Sequence, residues 1–132
     1  MDEFIVIDLS KYRLERARED LLAGANALNS GDFRVCANRA YYAIFHASRA
    51  VLILDGLDFK KHSAVIAHFR LEYVKTGVFS AEMSKILGKA FEIRTEADYE
   101  DFFIISKEEV EKQLEDAKHF VNQMEQYLQE KH

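Results

Sequence analysis

The sequence contains little that would cross-link or interrupt a fold. Its 132 residues include one cysteine, Cys36, five glycines and no proline. A single cysteine cannot form an internal disulfide and provides no cysteine-rich metal site. Without proline there is little to break a helix, and the glycines lie mostly at candidate helix ends. We therefore expect long helices with neither a disulfide nor a bound metal.

Long apolar runs and an excess of positive charge are also missing. No run approaches the roughly 18 apolar residues that cross a bilayer, and the acidic start of the chain does not resemble a secretory signal. The net charge of −5 argues against a basic surface for specific duplex DNA. With 48% apolar and 31% charged residues, the composition is typical of a globular protein. We expect one domain over residues 1–132, in the cytoplasm of a bacterium or archaeon and without a membrane segment.

Apolar residues at three- and four-residue intervals predict five helices. The predicted segments are 10–29, 32–54 with Asp32 as its cap, one from Lys60–Ser63 to near Gly77, one capped by Ser80, and one that begins with the capping box Ser106-x-x-Glu109. Short connections between long amphipathic helices make neighbours antiparallel. The predicted fold is all-α, an up-and-down bundle of four to five antiparallel helices. For the apolar run Phe4–Ile7 the sequence leaves two alternatives, a strand or an apolar arm.

A polar stripe runs along the second predicted helix. At about 100° per residue, Arg39, Tyr42, His46 and Arg49 fall within an arc of roughly 80°. The segment 33–54 contains three arginines and no acid, so the stripe is locally cationic. One interpretation is that the arginines reach water or pair with acids of other helices, around a half-buried histidine. The other is an anion site, since guanidinium groups bind phosphate and histidine transfers protons near neutral pH.

Two further segments carry polar candidates. Arg94 and Asp98 are four residues apart and share a helix face if the fourth helix extends that far. They form either an ordinary intrahelical pair, with Tyr99 closing the turn, or part of a functional site at a helix end. Lys61 and His62, at the polar start of the third helix, are weaker candidates for phosphate contacts, and we favour a capping role for this turn.

In chain order, these segments resemble the HEPN (higher eukaryotes and prokaryotes nucleotide-binding) family, and in particular its small stand-alone prokaryotic branch. The resemblance lies in NRAYYAIFHASRA (38–50), KKHSAVIAHF (60–69), YVKTG (73–77) and AFEIRTEADYEDF (90–102), and it covers nearly the whole chain. It implies a helical bundle that forms a homodimer, with polar residues of both subunits near a shared cleft. It also implies a minimal nucleotidyltransferase partner in a two-component system, a class that includes toxin–antitoxin pairs.

The resemblance also bears on catalysis. Active family members are metal-independent ribonucleases that use an arginine followed four to six residues later by a histidine. Arg94 matches this arginine, but Asp98, Tyr99 and Glu100 occupy the positions of the histidine. The ribonuclease signature is therefore broken, and a cleaving protein would need His46 for proton transfer, with the second and fourth helices side by side. Tyr99 resembles a tyrosine that the partner modifies with AMP in some members, although its spacing differs.

Two functions remain, and we prefer the first because the motif histidine is missing. In the first, the chain is a nucleotide- or RNA-binding and interaction module. Its candidate binding residues are Arg39, Tyr42, His46, Arg49, Lys61, His62, Arg94, Asp98 and Tyr99. In the second, the chain is a toxin-like endoribonuclease that uses Arg94 with His46. Neither function requires a cofactor or a metal.

The sequence contains no pattern that is typical of a di-iron centre or of a glycine-rich nucleotide site. A carboxylate di-iron bundle needs two Glu-x-x-His pairs, and only Asp116-x-x-His119 approaches one, with His119 expected in solvent. No glycine-rich phosphate loop is present. The 16 phenylalanines and tyrosines favour a homodimer, because a bundle this short would bury some of them between subunits.

Overall fold

Helices joined by short turns build the chain over residues 2–131, the range that the computed structural model describes. They are α1 (Glu3–Asn29), α2 (Phe33–Leu54), α3 (His62–Phe69), α4 (Ala81–Tyr99) and α5 (Lys107–Lys131), with a π-helical turn, Arg70–Val74, after α3. Residues 2–131 contain no strand. The all-α bundle predicted from the sequence is confirmed. No helix in this range is long and apolar enough to span a membrane.

Helix α1 begins seven residues earlier than predicted, at Glu3 rather than Ser10. Asp2 lies at the N-cap, where its side chain accepts a hydrogen bond of 2.8 Å from the backbone N–H of Phe4. This bond satisfies one of the free donors at the helix start. The run 4–7 is thus helical, and the prediction of a strand or an apolar arm is wrong. Phe4 is 79% exposed, so this end of the helix projects apolar surface to solvent.

The other helix limits follow the predicted signals with small differences. Helix α2 has the predicted bounds, but Asp32 makes no side-chain capping bond. Instead, Gly31 adopts a φ of 77°, which favours glycine and lets the chain turn between α1 and α2. At the start of α5, the Ser106 hydroxyl accepts a hydrogen bond of 3.1 Å from the Glu109 N–H, as a capping box predicts.

Helix α2 is the centre of the bundle and packs against α1, α4 and α5. Its inner face is fully buried and rich in small residues, and Tyr41, Ile44 and Val51 are among its larger side chains. A close contact fixes α1 beside it: a Cβ on Gly24 would lie 3.2 Å from Leu114 Cδ1 and 3.5 Å from Arg39 Cβ. As a result of this packing, the polar stripe of α2 lies along the grooves between α2 and its neighbours α1 and α4.

Candidate functional site

Both arginines of the α2 stripe pair with acids from other segments. Arg39 Nη1 lies 2.8 Å from Asp20 Oδ1 on α1, and Arg49 Nη2 lies 2.9 Å from Asp58 Oδ1 in the loop after α2. Asp20 is buried, whereas the side chain of Asp58 is 37% exposed. The two neutralising acids lie outside the segment 33–54, and the Arg39–Asp20 pair agrees with the interpretation in which the stripe arginines pair with acids of other helices.

Arg94 reaches across from α4 and lies on two tyrosine rings of α2. Its guanidinium carbon is 5.4 Å from the ring centroid of Tyr41 and 5.8 Å from that of Tyr42. Nη2 is 3.5 Å from the Tyr42 hydroxyl oxygen and 3.4 Å from Asp98 Oδ2. The aromatic faces attract the cation and hold it in place. The predicted Arg94–Asp98 pair exists within one chain, and it leaves Arg94 beside the polar stripe.

His62, the first residue of α3, joins this group. Its ring stacks on Phe45 with centroids 4.2 Å apart, and Nδ1 shares a hydrogen bond with the Tyr41 hydroxyl. Burial and then the charges of Arg94 and Arg49 lower the pKa of His62, so the ring is mainly neutral at pH 7.

We name the tyrosine–arginine cluster by its members, which come from three helices: Tyr41, Tyr42, His62, Arg94 and Asp98. Tyr41, which is fully buried, is not among the site residues predicted from the sequence. The cluster combines a guanidinium, a half-buried phenol ring and a neutral imidazole. These are groups that can bind an anion and stack against a base.

His46 faces α1. Its Nε2 lies 3.6 Å from Asp20 Oδ2, which is too long for a hydrogen bond, and its ring centroid is 6.0 Å from that of Tyr42. Burial, followed by the nearby arginines, lowers the pKa of His46 to about 4. Helix α2 packs beside α4, which is the arrangement that catalysis by Arg94 with His46 would require. His46 and Arg94 both lie against Tyr42.

A family model described as HEPN domain matches residues 10–127. The chain belongs to the HEPN family. Over 120 residues it is 34% identical to a UPF0332 protein of Thermotoga maritima, and the match covers 91% of each chain. Over 115 residues it is 33% identical to a protein of Methanocaldococcus jannaschii that carries the name "putative toxin", covering 87% of this chain and 78% of that protein. A UPF0332 protein of Archaeoglobus fulgidus is 32% identical over 115 residues, or 87% and 91% of the two chains.

The remaining candidates of this HEPN chain lie outside the cluster. Lys61 occupies the N-cap of α3 and is exposed. Tyr99 ends α4 and is 80% exposed. His119 is exposed on α5, as expected, and its Nε2 lies 2.8 Å from Glu82 Oε1. Within residues 2–131, no group of three or more His, Cys, Asp or Glu side chains is arranged to hold a metal ion.

Proposed function

We propose that this HEPN protein is a nucleotide- and RNA-binding interaction module in which Arg94 binds phosphate. The contrast between Arg94 and Arg39 carries the proposal. Arg39 pairs with the buried Asp20, whereas the pair that Arg94 makes is with Asp98, whose side chain is 40% exposed, at 3.4 Å. Exposed pairs four residues apart on a helix contribute only about 0.3–0.5 kcal/mol. A phosphate group can therefore replace Asp98 at little cost.

The surroundings of Arg94 support the same ligand class. Tyr42 is half-buried and offers a ring against which a base can stack. The ring of His62, which is mainly neutral, does not repel the Arg94 guanidinium beside it. Asp98 weakens the attraction for phosphate until it is displaced. The absence of a histidine at the motif position, where Asp98, Tyr99 and Glu100 follow Arg94, supports a protein that binds without cleaving.

The proposal includes a homodimer that works in the cytoplasm with a minimal nucleotidyltransferase in a toxin–antitoxin-like pair. One support is the name "putative toxin" carried by the relative from Methanocaldococcus jannaschii. A second is the exposed apolar surface at and beyond the end of α4, where Tyr99, Phe102 and Ile104 are 80%, 92% and 88% exposed. Exposed apolar patches of this kind mark interaction surfaces. A monomeric mass in solution by light scattering would contradict the homodimer.

The second candidate function is a metal-independent ribonuclease that uses Arg94 with His46. The observation in its favour is that both side chains lie against Tyr42 and that His46 is neutral at pH 7, as a proton acceptor must be. A pKa of about 4 makes His46 a weak base, however, and its Nε2 faces Asp20. Catalysis through His46 would therefore be slow near neutral pH.

One experiment separates the two functions. Fluorescein-labelled RNA is incubated with the purified protein in EDTA, and cleavage is followed on gels while binding of RNA and of labelled AMP is followed by anisotropy. We expect no cleavage, and at least about tenfold weaker binding for Arg94→Ala, since a charge-assisted contact is lost. Lys89→Ala is the matched control, because Lys89 is an exposed cation on the same helix. Cleavage that both Arg94→Ala and His46→Ala abolish would overturn the binding function.

A further inference from the structure

Four arginines lie around His46 in the groove between α1 and α2. Each of them lowers the pKa of this histidine. We call the group the arginine groove, and its basic members are Arg13 and Arg16 on α1 and Arg39 and Arg49 on α2. The acids that pair with them are Asp20 and Asp58. Glu19 also lies near Arg16 and Asp20, so the groove has one more positive than negative charge, in a chain whose net charge is −5.

One carboxylate oxygen at the end of this groove serves two guanidinium groups. Arg13 Nη2 lies 3.0 Å and Arg49 Nη2 lies 2.9 Å from the same atom, Asp58 Oδ1. Arg13 is fixed further by a hydrogen bond of 3.3 Å from Nη1 to the backbone oxygen of Arg49. The side chains of Arg13 and Arg49 are 10% and 17% exposed, and that of Asp58 is 37% exposed. Two largely buried cations thus lie beneath a single, more accessible acceptor.

The hydrogen bonds of this pair are incomplete. Arg49 Nε is buried and, within residues 2–131, has no acceptor. Two adjacent guanidinium groups provide up to ten N–H donors, and a carboxylate offers only two oxygens and one charge. A phosphate offers more oxygens, and Arg pairs bind phosphate with paired, charge-assisted hydrogen bonds. The place of Asp58 is therefore better matched to a phosphate than to a carboxylate.

We propose that Arg13 and Arg49 form a second phosphate subsite, which Asp58 occupies in the free protein, and that the ligand spanning it and Arg94 is single-stranded RNA. The inference rests on the proposed function, since it uses Arg94 as the first subsite. Tyr42, which contacts Arg94, and Arg49 are seven residues apart on α2, or about 10 Å along the axis. A single phosphate cannot bridge that distance, whereas successive phosphates of an RNA strand can. The exposed Lys60 lies two residues beyond Asp58 and adds positive charge at this end.

The test compares a labelled ten-nucleotide RNA with labelled AMP, by anisotropy at several salt concentrations. Asp58→Asn should tighten RNA binding several-fold, because the competing charge is removed and the side-chain shape is kept. Arg13→Gln should weaken RNA binding, lower the slope of log affinity against log salt by about one, and leave AMP binding unchanged. Arg18→Gln is the matched control: Arg18 is a cation of the same helix that pairs with Glu125 instead, through Nε at 2.7 Å.

The outcomes that overturn the inference are specific. If Arg13→Gln weakened the binding of RNA and of AMP equally, the groove would act only through its general positive charge and not as a phosphate subsite. The same conclusion would follow if Arg13→Gln and Arg18→Gln weakened RNA binding equally. Should Arg13→Gln fail to fold, as circular dichroism would show, Asp58→Asn decides alone, and unchanged or weaker RNA binding would mean that Asp58 only fastens the loop. If Arg94→Ala abolishes RNA binding and the groove variants do not alter it, the second subsite fails and the proposed function stands. If Arg94→Ala has no effect, the proposed function itself fails.

Discussion

Replacing His46 by glutamine is expected to remove a pH dependence of stability that this side chain introduces. Its side chain is only 17% exposed, and burial is the largest cause that lowers its pKa from 6.5 to about 4. The charges of Arg16, Arg49, Arg39 and Arg13 add to this effect. Asp20 Oδ2, at 3.6 Å, would favour the protonated ring. The Asp20 carboxylate already accepts a hydrogen bond from Arg39, and the four guanidinium groups outweigh its effect on the pKa of His46.

The size of the effect follows from the two pKa values of His46. In the unfolded chain the imidazole binds a proton near pH 6.5, and in the folded chain only near pH 4. Between these values the unfolded state binds more protons, so the free energy of unfolding falls as the pH falls. The loss is about 2 kcal/mol at pH 5 and approaches about 3 kcal/mol below pH 4, since each unit of pKa difference corresponds to about 1.4 kcal/mol. Above pH 7 the contribution vanishes.

The assay is urea unfolding followed by far-ultraviolet circular dichroism at pH 7.0 and pH 5.0. The wild-type protein should lose about 2 kcal/mol more than His46→Gln between these two pH values. His119→Gln is the control, because it removes a histidine that lies on the surface of α5, and it should follow the wild type. If His46→Gln loses stability as steeply as the wild type, the ring is not kept neutral by its surroundings and the reasoning is wrong.

Three further substitutions probe the packing of the bundle, each by its midpoint of thermal or urea unfolding. Phe120 is fully buried, and Phe120→Ala should lower the free energy of unfolding by about 3–5 kcal/mol. Gly24→Ala should destabilise the bundle, because its Cβ would press on Leu114 at 3.2 Å between helices. Gly88→Ala should be neutral or stabilising by up to about 1 kcal/mol, because its Cβ would meet only the far end of the long Arg70 side chain, which can shift, and alanine favours the helix. Similar effects of the two glycine variants would contradict this distinction.

The helices were predictable where apolar residues repeat with one clear period. Helix α2 has the predicted bounds, and α5 begins at the predicted capping box. The start of α1 was missed because the run 4–7 is apolar without a polar side and so has no helical period. The signal that decides it is Asp2, whose side chain caps the first turn. From the sequence alone, Asp2 is difficult to recognise as a cap, because no predicted helix end lies next to it.

The candidate site was predictable only where its contacts are local. The spacing of Arg94 and Asp98 predicts their pair directly. The partner of Arg39 was not predicted, because Asp20 lies on another helix and the register between α1 and α2 depends on close packing at Gly24. A signal existed in the sequence: Asp20 follows Ala17 by three residues and so continues the apolar face of α1. An acid on such a face requires a buried partner.

Burial of the carboxylate distinguishes the structural arginines of this HEPN protein from those that can exchange partners. Asp20 is buried, so displacing it from Arg39 would leave a charge without water, and this pair holds α1 to α2. Asp98 and Asp58 are 40% and 37% exposed, so water can replace the arginine on either carboxylate as a ligand arrives. The residue types are the same in both classes, an arginine paired with an aspartate, so residue type alone does not separate them. In the two proposals made above, these exposed acids mark the places where an anion would enter, one on the α4 side of α2 and one beside α1.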